Sequence, residues 1–167
     1  MQNQQFTVSL LVNNHSGVLT RVASLFARRA FNIDSLTVGE TEDPTLSRMT
    51  IVSWGDDYMK DQMVKQLQKL QDVRKVQLMQ SGRIVVRELM LVKVRLEKSL
   101  LPELMQAVSA YRADVVDLSP DAMLIEITGE TTKLNAFLDY MRQYTIIEMA
   151  RTGPTALGRG MYCLENG

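Results

Sequence analysis

Very little in this chain suggests covalent chemistry. Among its 167 residues there is one histidine, His15, and one cysteine, Cys163. A lone cysteine excludes an internal disulfide, and one histidine with one distant cysteine gives no metal-ligand spacing. His15 adjoins Ser16, but side chains adjacent in sequence seldom make a nucleophile–base pair, and no aspartate is evidently placed to orient the ring. Neither G-x-G-x-x-G nor G-x-x-x-x-G-K-[ST] occurs, so nucleotide phosphates have no recognisable cradle. Net charge is missing as well, with 19 Lys and Arg against 19 Asp and Glu. That removes the footprint of a general nucleic-acid binder and leaves nothing to keep copies of the chain apart. No apolar run is long enough to cross a bilayer, and "MQNQQFTV" lacks the basic segment and apolar core of a signal sequence. The expectation is a cytoplasmic chain with no membrane contact.

What the chain has is an ordinary core-forming composition, 46% hydrophobic, arranged in two regular patterns. Phe6, Val8, Leu10 and Val12 alternate as in a half-buried strand. From near Ser16 the period changes to Val18, Val22, Leu25 and Phe26, an amphipathic helix with Arg28 and Arg29 in its last turn. "NIDSLTVGET" and "LSRMTIVSW" read as a hairpin across the Pro44 turn. Asp56 and Asp57 open a helix with the stripe Met59, Met63, Leu67 and Leu70, and "VRKVQLM" ends the series. The order β-α-β-β-α-β then repeats. "ELMLVKVRL" is a strand, "SLLPELMQAVSAYRA" a helix with Leu104, Val108 and Tyr111 inward, and "DVVDLS" with "AMLIEITGE" a hairpin. "TTKLNAFLDYMRQY" is a helix on Leu134, Leu138 and Met141, and "TIIEMAR" is the last strand.

The reading is therefore an α+β protein, two ferredoxin-like βαββαβ domains in tandem. Residues 1–80 form the first, 81–87 a linker around Gly82, 88–152 the second, and 153–167 a glycine-rich loose tail. Each unit places two helices on one sheet face, so the other face calls for cover, and a homodimer is expected. RNA-recognition modules share this topology, but they stack bases on aromatic residues of the central strands, where this chain has "VSLLV" and "LLVKVR".

One junction stands apart: "NNHSG", residues 13–17, between the first strand and the first helix. Gly17 lets backbone approach a ligand, and the unpaired N–H groups of the first helical turn favour a carboxylate. Asn14 both donates and accepts, as does Asn32 before the second strand, which suits a zwitterion. Val18, Leu19, Ile33 and Leu36 offer an apolar wall. The competing reading treats Asn14, Ser16 and Asn32 as turn and capping residues, and chemistry alone favours it.

The segment "NNHSGVLTRVASLFARRAFNIDSLTVGETEDPTLSRMTIV" closely resembles the N-terminal ACT domain of the small subunits of acetolactate synthase. "RELMLVKV" and "EMARTGPTALGRG" resemble the start and end of that family's C-terminal domain. The resemblance implies a regulatory subunit without catalytic residues or cofactors of its own. Its partner would be a large catalytic subunit that uses thiamine diphosphate, magnesium and FAD to condense pyruvate with a second 2-oxo acid. The small subunit would activate that partner and confer feedback inhibition by valine, or by leucine or isoleucine, in branched-chain amino-acid biosynthesis. The family further implies that the C-terminal domain is needed for the full valine response. It also implies that the effector sits between two N-terminal domains. Asn14, His15, Ser16, Gly17, Val18 and Leu19 of one chain would then face Asn32, Ile33 and Leu36 of the other. Many ACT loops have proline before the glycine, where this chain has Ser16. Protonation of His15 would make effector binding pH-dependent. An ACT-type amino-acid sensor acting alone, with some other partner, is the alternative.

Overall fold

A computed structural model describes residues 4–164. The first six elements are β1 (Gln4–Asn13), α1 (Val18–Arg28), β2 (Ile33–Glu40), β3 (Leu46–Gly55), α2 (Asp57–Leu67) and β4 (Val73–Leu78). They form an antiparallel sheet in the order β2-β3-β1-β4, the ferredoxin-like arrangement expected. Alternation in β1 sends Val8, Leu10 and Val12 into the core at zero exposure. Cross-strand pairing aligns Val8 with Ile51 and Leu10 with Met49 on the same face. The α1 residues Val18, Val22, Leu25 and Phe26 close over them. The Asp56 carboxylate caps α2 by accepting from the Met59 backbone N–H at 2.9 Å, which satisfies one otherwise orphaned donor. Of the expected α2 stripe, Met63 and Leu67 are fully buried, while Met59 and Leu70 are half-buried.

The second half comprises β5 (Ile84–Arg95), a 3-10 turn at Lys98–Leu100, α3 (Leu101–Ala110), β6 (Asp114–Leu118), β7 (Ala122–Gly129), α4 (Thr131–Met141) and β8 (Ile146–Arg151). The order β6-β7-β5-β8 repeats that of the first sheet. Its core is built on Met90, Val92, Val94, Met123, Ile125 and Ile127, covered by Leu104, Leu134, Phe137 and Met141. Glu88 lies at the edge of this core, 5% exposed. Its two oxygens accept from Arg151 Nε and Nη2, both at 2.9 Å.

Two segments differ from the sequence reading. The 81–87 stretch is a linker only at its start: Arg83 N–H returns to the Gln80 carbonyl at 3.1 Å, and Gly82 takes φ +85°. Strand β5 then begins at Ile84, because Ile84, Val85 and Val86 form a β-branched run that extends naturally into it. The tail from residue 153 is structured as well. Thr155–Gly158 form a strand, β9, that pairs with β5, and Ala156 and Leu164 are 1% and 4% exposed. Residues 165–167 of the expected tail lie outside the described residues.

Two compact units result: one reaches Val85 and resumes at Pro154, the other is Val86–Gly153. The tail joins the first unit. Thr37 Oγ1 on β2 donates to the Pro154 carbonyl at 3.2 Å, and β9 packs against β3. Arg159 donates from its backbone to the Arg83 carbonyl at 2.8 Å and from Nε to the Ile84 carbonyl at 3.0 Å. The Arg83 guanidinium lies 4.3 Å from the centre of the Tyr162 ring, a cation–π contact.

Candidate functional site

The β1–α1 junction is shaped by Gly17, which begins α1 in the left-handed region at φ +88°, ψ −12°. No side chain caps this helix and no acidic residue stands in its first turn, so its N-terminal N–H groups and dipole carry no built-in anion. The nearest neighbours of a Cβ placed on Gly17 would be Arg21 Nη2 at 3.8 Å and Arg21 Cζ at 3.9 Å. Glycine is needed there for its backbone angle, and the guanidinium of Arg21 stands over the same spot.

Asn14, His15, Ser16, Gly17 and Leu19 are exposed, whereas Val18 is 3% exposed and belongs to the core. The Asn14 amide donates to Glu40 Oε2 at 3.2 Å and to the Pro44 carbonyl at 2.9 Å. Its backbone N–H reaches the Thr45 carbonyl at 2.7 Å. These contacts tie the loop to the end of β2 and the following turn, and among the described residues no donor occupies Asn14 Oδ1.

His15 and Arg21 converge on Asp72. His15 Nε2 lies 2.9 Å from Asp72 Oδ1 and its Nδ1 3.1 Å from the Ser16 carbonyl. Arg21 Nε lies 2.7 Å from Asp72 Oδ2. Burial alone would raise the Asp72 pKa, but the Asn13 amide, then the charges of Arg21 and His15, outweigh it and hold the carboxyl below its ordinary range. Arg21, Glu40 and Asp72 were not among the residues singled out from the sequence. The only signal for Arg21 was its place one turn after Gly17, and the others are brought in by folding.

The second half of the expected site is elsewhere. Asn32 Nδ2 donates to Asp34 Oδ1 at 2.9 Å, and the Asn32 carbonyl accepts from Ser53 Oγ at 2.6 Å. Asp34 also accepts from the Trp54 indole. Ile33 and Leu36 are half-buried and packed against the core. Ile33 opens β2 and Glu40, the partner of Asn14, closes it. At roughly 3.4 Å per residue the two ends of β2 are about 24 Å apart. Within one chain, Asn14 and Asn32 do not meet.

Beside the Asn14 loop is an open cavity of about 860 Å³. Its floor is Leu11 and Leu46, and its walls are the Asp43–Thr45 turn, Asn13 to His15, and Arg74 with Lys75. Among the described residues no group of three or more His, Cys, Asp or Glu is placed to hold a metal ion.

Two βαββαβ units, the first opening its helix on a left-handed glycine with an uncapped N-terminus, define the class of tandem ACT-type proteins. Comparison with known proteins narrows this. Residues 8–75 match the model of the "AHAS small subunit-like ACT domain" and residues 87–160 that of the "small subunit of acetolactate synthase". The chain is 47% identical over 161 residues to a probable acetolactate synthase small subunit of Methanothermobacter thermautotrophicus, covering 96% of each. It is 42% identical over 154 residues to the small subunit of acetolactate synthase isozyme 3 of Escherichia coli, covering 92% of this chain and 94% of that one. The crystal structure of the acetolactate synthase small subunit of Thermotoga maritima superposes with a TM-score of 0.89 at 42% identity, over 95% of this chain and 99% of that one. The chain belongs to the family of acetolactate synthase small subunits.

Proposed function

We propose that this chain is a non-catalytic, cytoplasmic regulatory subunit that activates the catalytic subunit of acetolactate synthase and makes it sensitive to valine. Thiamine diphosphate, magnesium and FAD belong to the catalytic subunit, as does the condensation of pyruvate with a second 2-oxo acid. The observation that carries the effector reading is the start of α1: a left-handed Gly17, no capping side chain, no acid in the first turn, and Arg21 over the glycine. That is an arrangement for a carboxylate.

The rest of the effector site comes from a second copy. Strand β2 is an edge of its sheet, with Val38 47% exposed. Antiparallel pairing of β2 with the partner's β2 brings the Glu40 end of one chain beside the Ile33 end of the other. The partner's Asn32 then approaches Asn14, and the partner's Ile33 and Leu36 line the apolar side. Valine bound there favours the less active form of the complex by its differential affinity, a coupling on the order of 1–3 kcal/mol.

Calorimetric titration of the purified chain with valine, leucine and isoleucine tests this, with Asn14→Ala as control. Valine heat that is lost in the variant supports the clamp. A number of valine sites per chain left unchanged by both Asn14→Ala and Gly17→Asp overturns it. Co-purification with a large thiamine-dependent protein tests the regulatory role separately.

A further inference from the structure

The cavity beside the Asn14 loop lies on the other side of the sheet from α1. Along β1, Leu11 alternates with the core residues Leu10 and Val12, so its side chain leaves the helix-covered face. It pairs with Lys75 on β4, and Leu46 pairs with Asn13. The floor of the cavity is thus on the sheet's far face, whereas Gly17 and the start of α1 belong to the near one. The Asn14–His15 loop borders both.

Its charge pattern is specific. Arg74 Nε donates to Asn13 Oδ1 at 2.7 Å, which fixes the guanidinium at the rim. Among the described residues neither Arg74 nor Lys75 is paired with a carboxylate. Asp43 stands in the opposite wall. Its Oδ1 accepts from Thr45 N–H at 2.9 Å and Thr45 Oγ1 at 2.7 Å. Those bonds keep the carboxyl ionised, while among the described residues no donor occupies Oδ2. The floor between these charges is aliphatic, Leu11 and Leu46 with Pro44 beside them. Two unpaired cations, one anion across an apolar floor, and the hydroxyl and amide groups of Thr45 and Asn14 match one ligand class.

We propose that this cavity is a second amino-acid site, taking a zwitterion with a short aliphatic side chain. The ligand carboxylate lies at Arg74 and Lys75, its ammonium at Asp43, and its side chain on Leu11 and Leu46. The site does not rest on the clamp at Gly17 and needs no second copy of the chain. Because the Asn14 loop is a wall of one site and a ligand group of the other, occupancy of either is felt at the other.

The test is calorimetry on the full chain with three probes: valine, isovalerate, which has the carboxylate and side chain without the ammonium, and inorganic phosphate. Both cations are exposed, so Lys75→Glu and Arg74→Ala leave the fold intact. In a Gly17→Asp background, which disables the clamp, valine still binds at one site per chain. Adding Lys75→Glu or Arg74→Ala weakens that binding at least tenfold, and Asp43→Asn weakens valine while leaving isovalerate unchanged. Valine binding that disappears completely with Gly17→Asp and is untouched by Lys75→Glu overturns the second site and leaves the clamp standing. Binding untouched by Gly17→Asp but lost with Lys75→Glu overturns the clamp instead. Isovalerate or phosphate binding as tightly as valine reduces the cavity to a general anion patch and overturns the zwitterion assignment.

Discussion

Gly17 carries two separable demands, one of backbone angle and one of charge, and substitutions tell them apart. Alanine fits the available space, since its Cβ meets nothing closer than 3.8 Å, but it is strained at φ +88°. Gly17→Ala should therefore cost about 1 kcal/mol, read from denaturant unfolding, with effector binding largely kept. Gly17→Asp adds a carboxylate where the ligand's own would sit, and feedback should be lost while activation of the catalytic subunit is retained. Asp72 makes a pH prediction with a defined sign. Its folded pKa lies below the ordinary carboxylate value, so its contribution is present above the unfolded pKa and disappears as pH falls through the folded one. Asp72→Asn should flatten the decline of melting temperature between pH 5 and pH 2. At this scale the left-handed turn at Gly17 was legible in the sequence, because a glycine between a strand and a helix marks a sharp change of backbone direction. The sequence did not disclose Asp72, which is 57 positions from His15 and marked by no local pattern.

The elements were more legible than the side chains that link them. Period and turn chemistry located every strand and helix of the two βαββαβ units to within a few residues, since a 2-to-3.6 switch in apolar spacing is hard to mimic by chance. Sequence and structure part where two patterns fit equally. In α4 the buried set is Leu134, Phe137 and Met141, with Leu138 only half-buried; an i+3 and an i+4 neighbour share a helix face, and packing decides between them. The start of β5 was hidden behind the glycine turn that precedes it. The edge strand β2 and the buried pair in the second unit each yield a test. On the proposed pairing of β2 between two copies, Val38→Lys places a charge at the junction and should leave the chain monomeric in sedimentation where the unaltered chain is a dimer. Arg151→Met strips Glu88, 5% exposed, of a bidentate partner. The buried carboxylate then keeps only the Thr131 Oγ1 donor at 3.1 Å and no counter-charge, which should cost about 3–5 kcal/mol in unfolding free energy.

For the whole molecule the feature least visible beforehand is the return of the tail. Strand β9 is only four residues long, with a single fully buried side chain, Ala156, so it has too few positions to establish a period; glycines on either side looked like looseness. Gly158 is instead a point of closest approach: a Cβ there would stand 1.8 Å from the Tyr162 carbonyl oxygen. Gly158→Ala should unseat the tail, detected as faster hydrogen exchange in β3 and early proteolysis after residue 153, with the Val86–Gly153 unit unaffected. There is also a consequence in time. The first unit is made from both sides of the second, so β1 to β4 leave the ribosome and then wait while all of Val86–Gly153 is synthesised. At about 5–20 residues per second that delay is several seconds, long compared with the folding of a small domain. The unit translated first is completed last, once the segment from Pro154 onward has emerged.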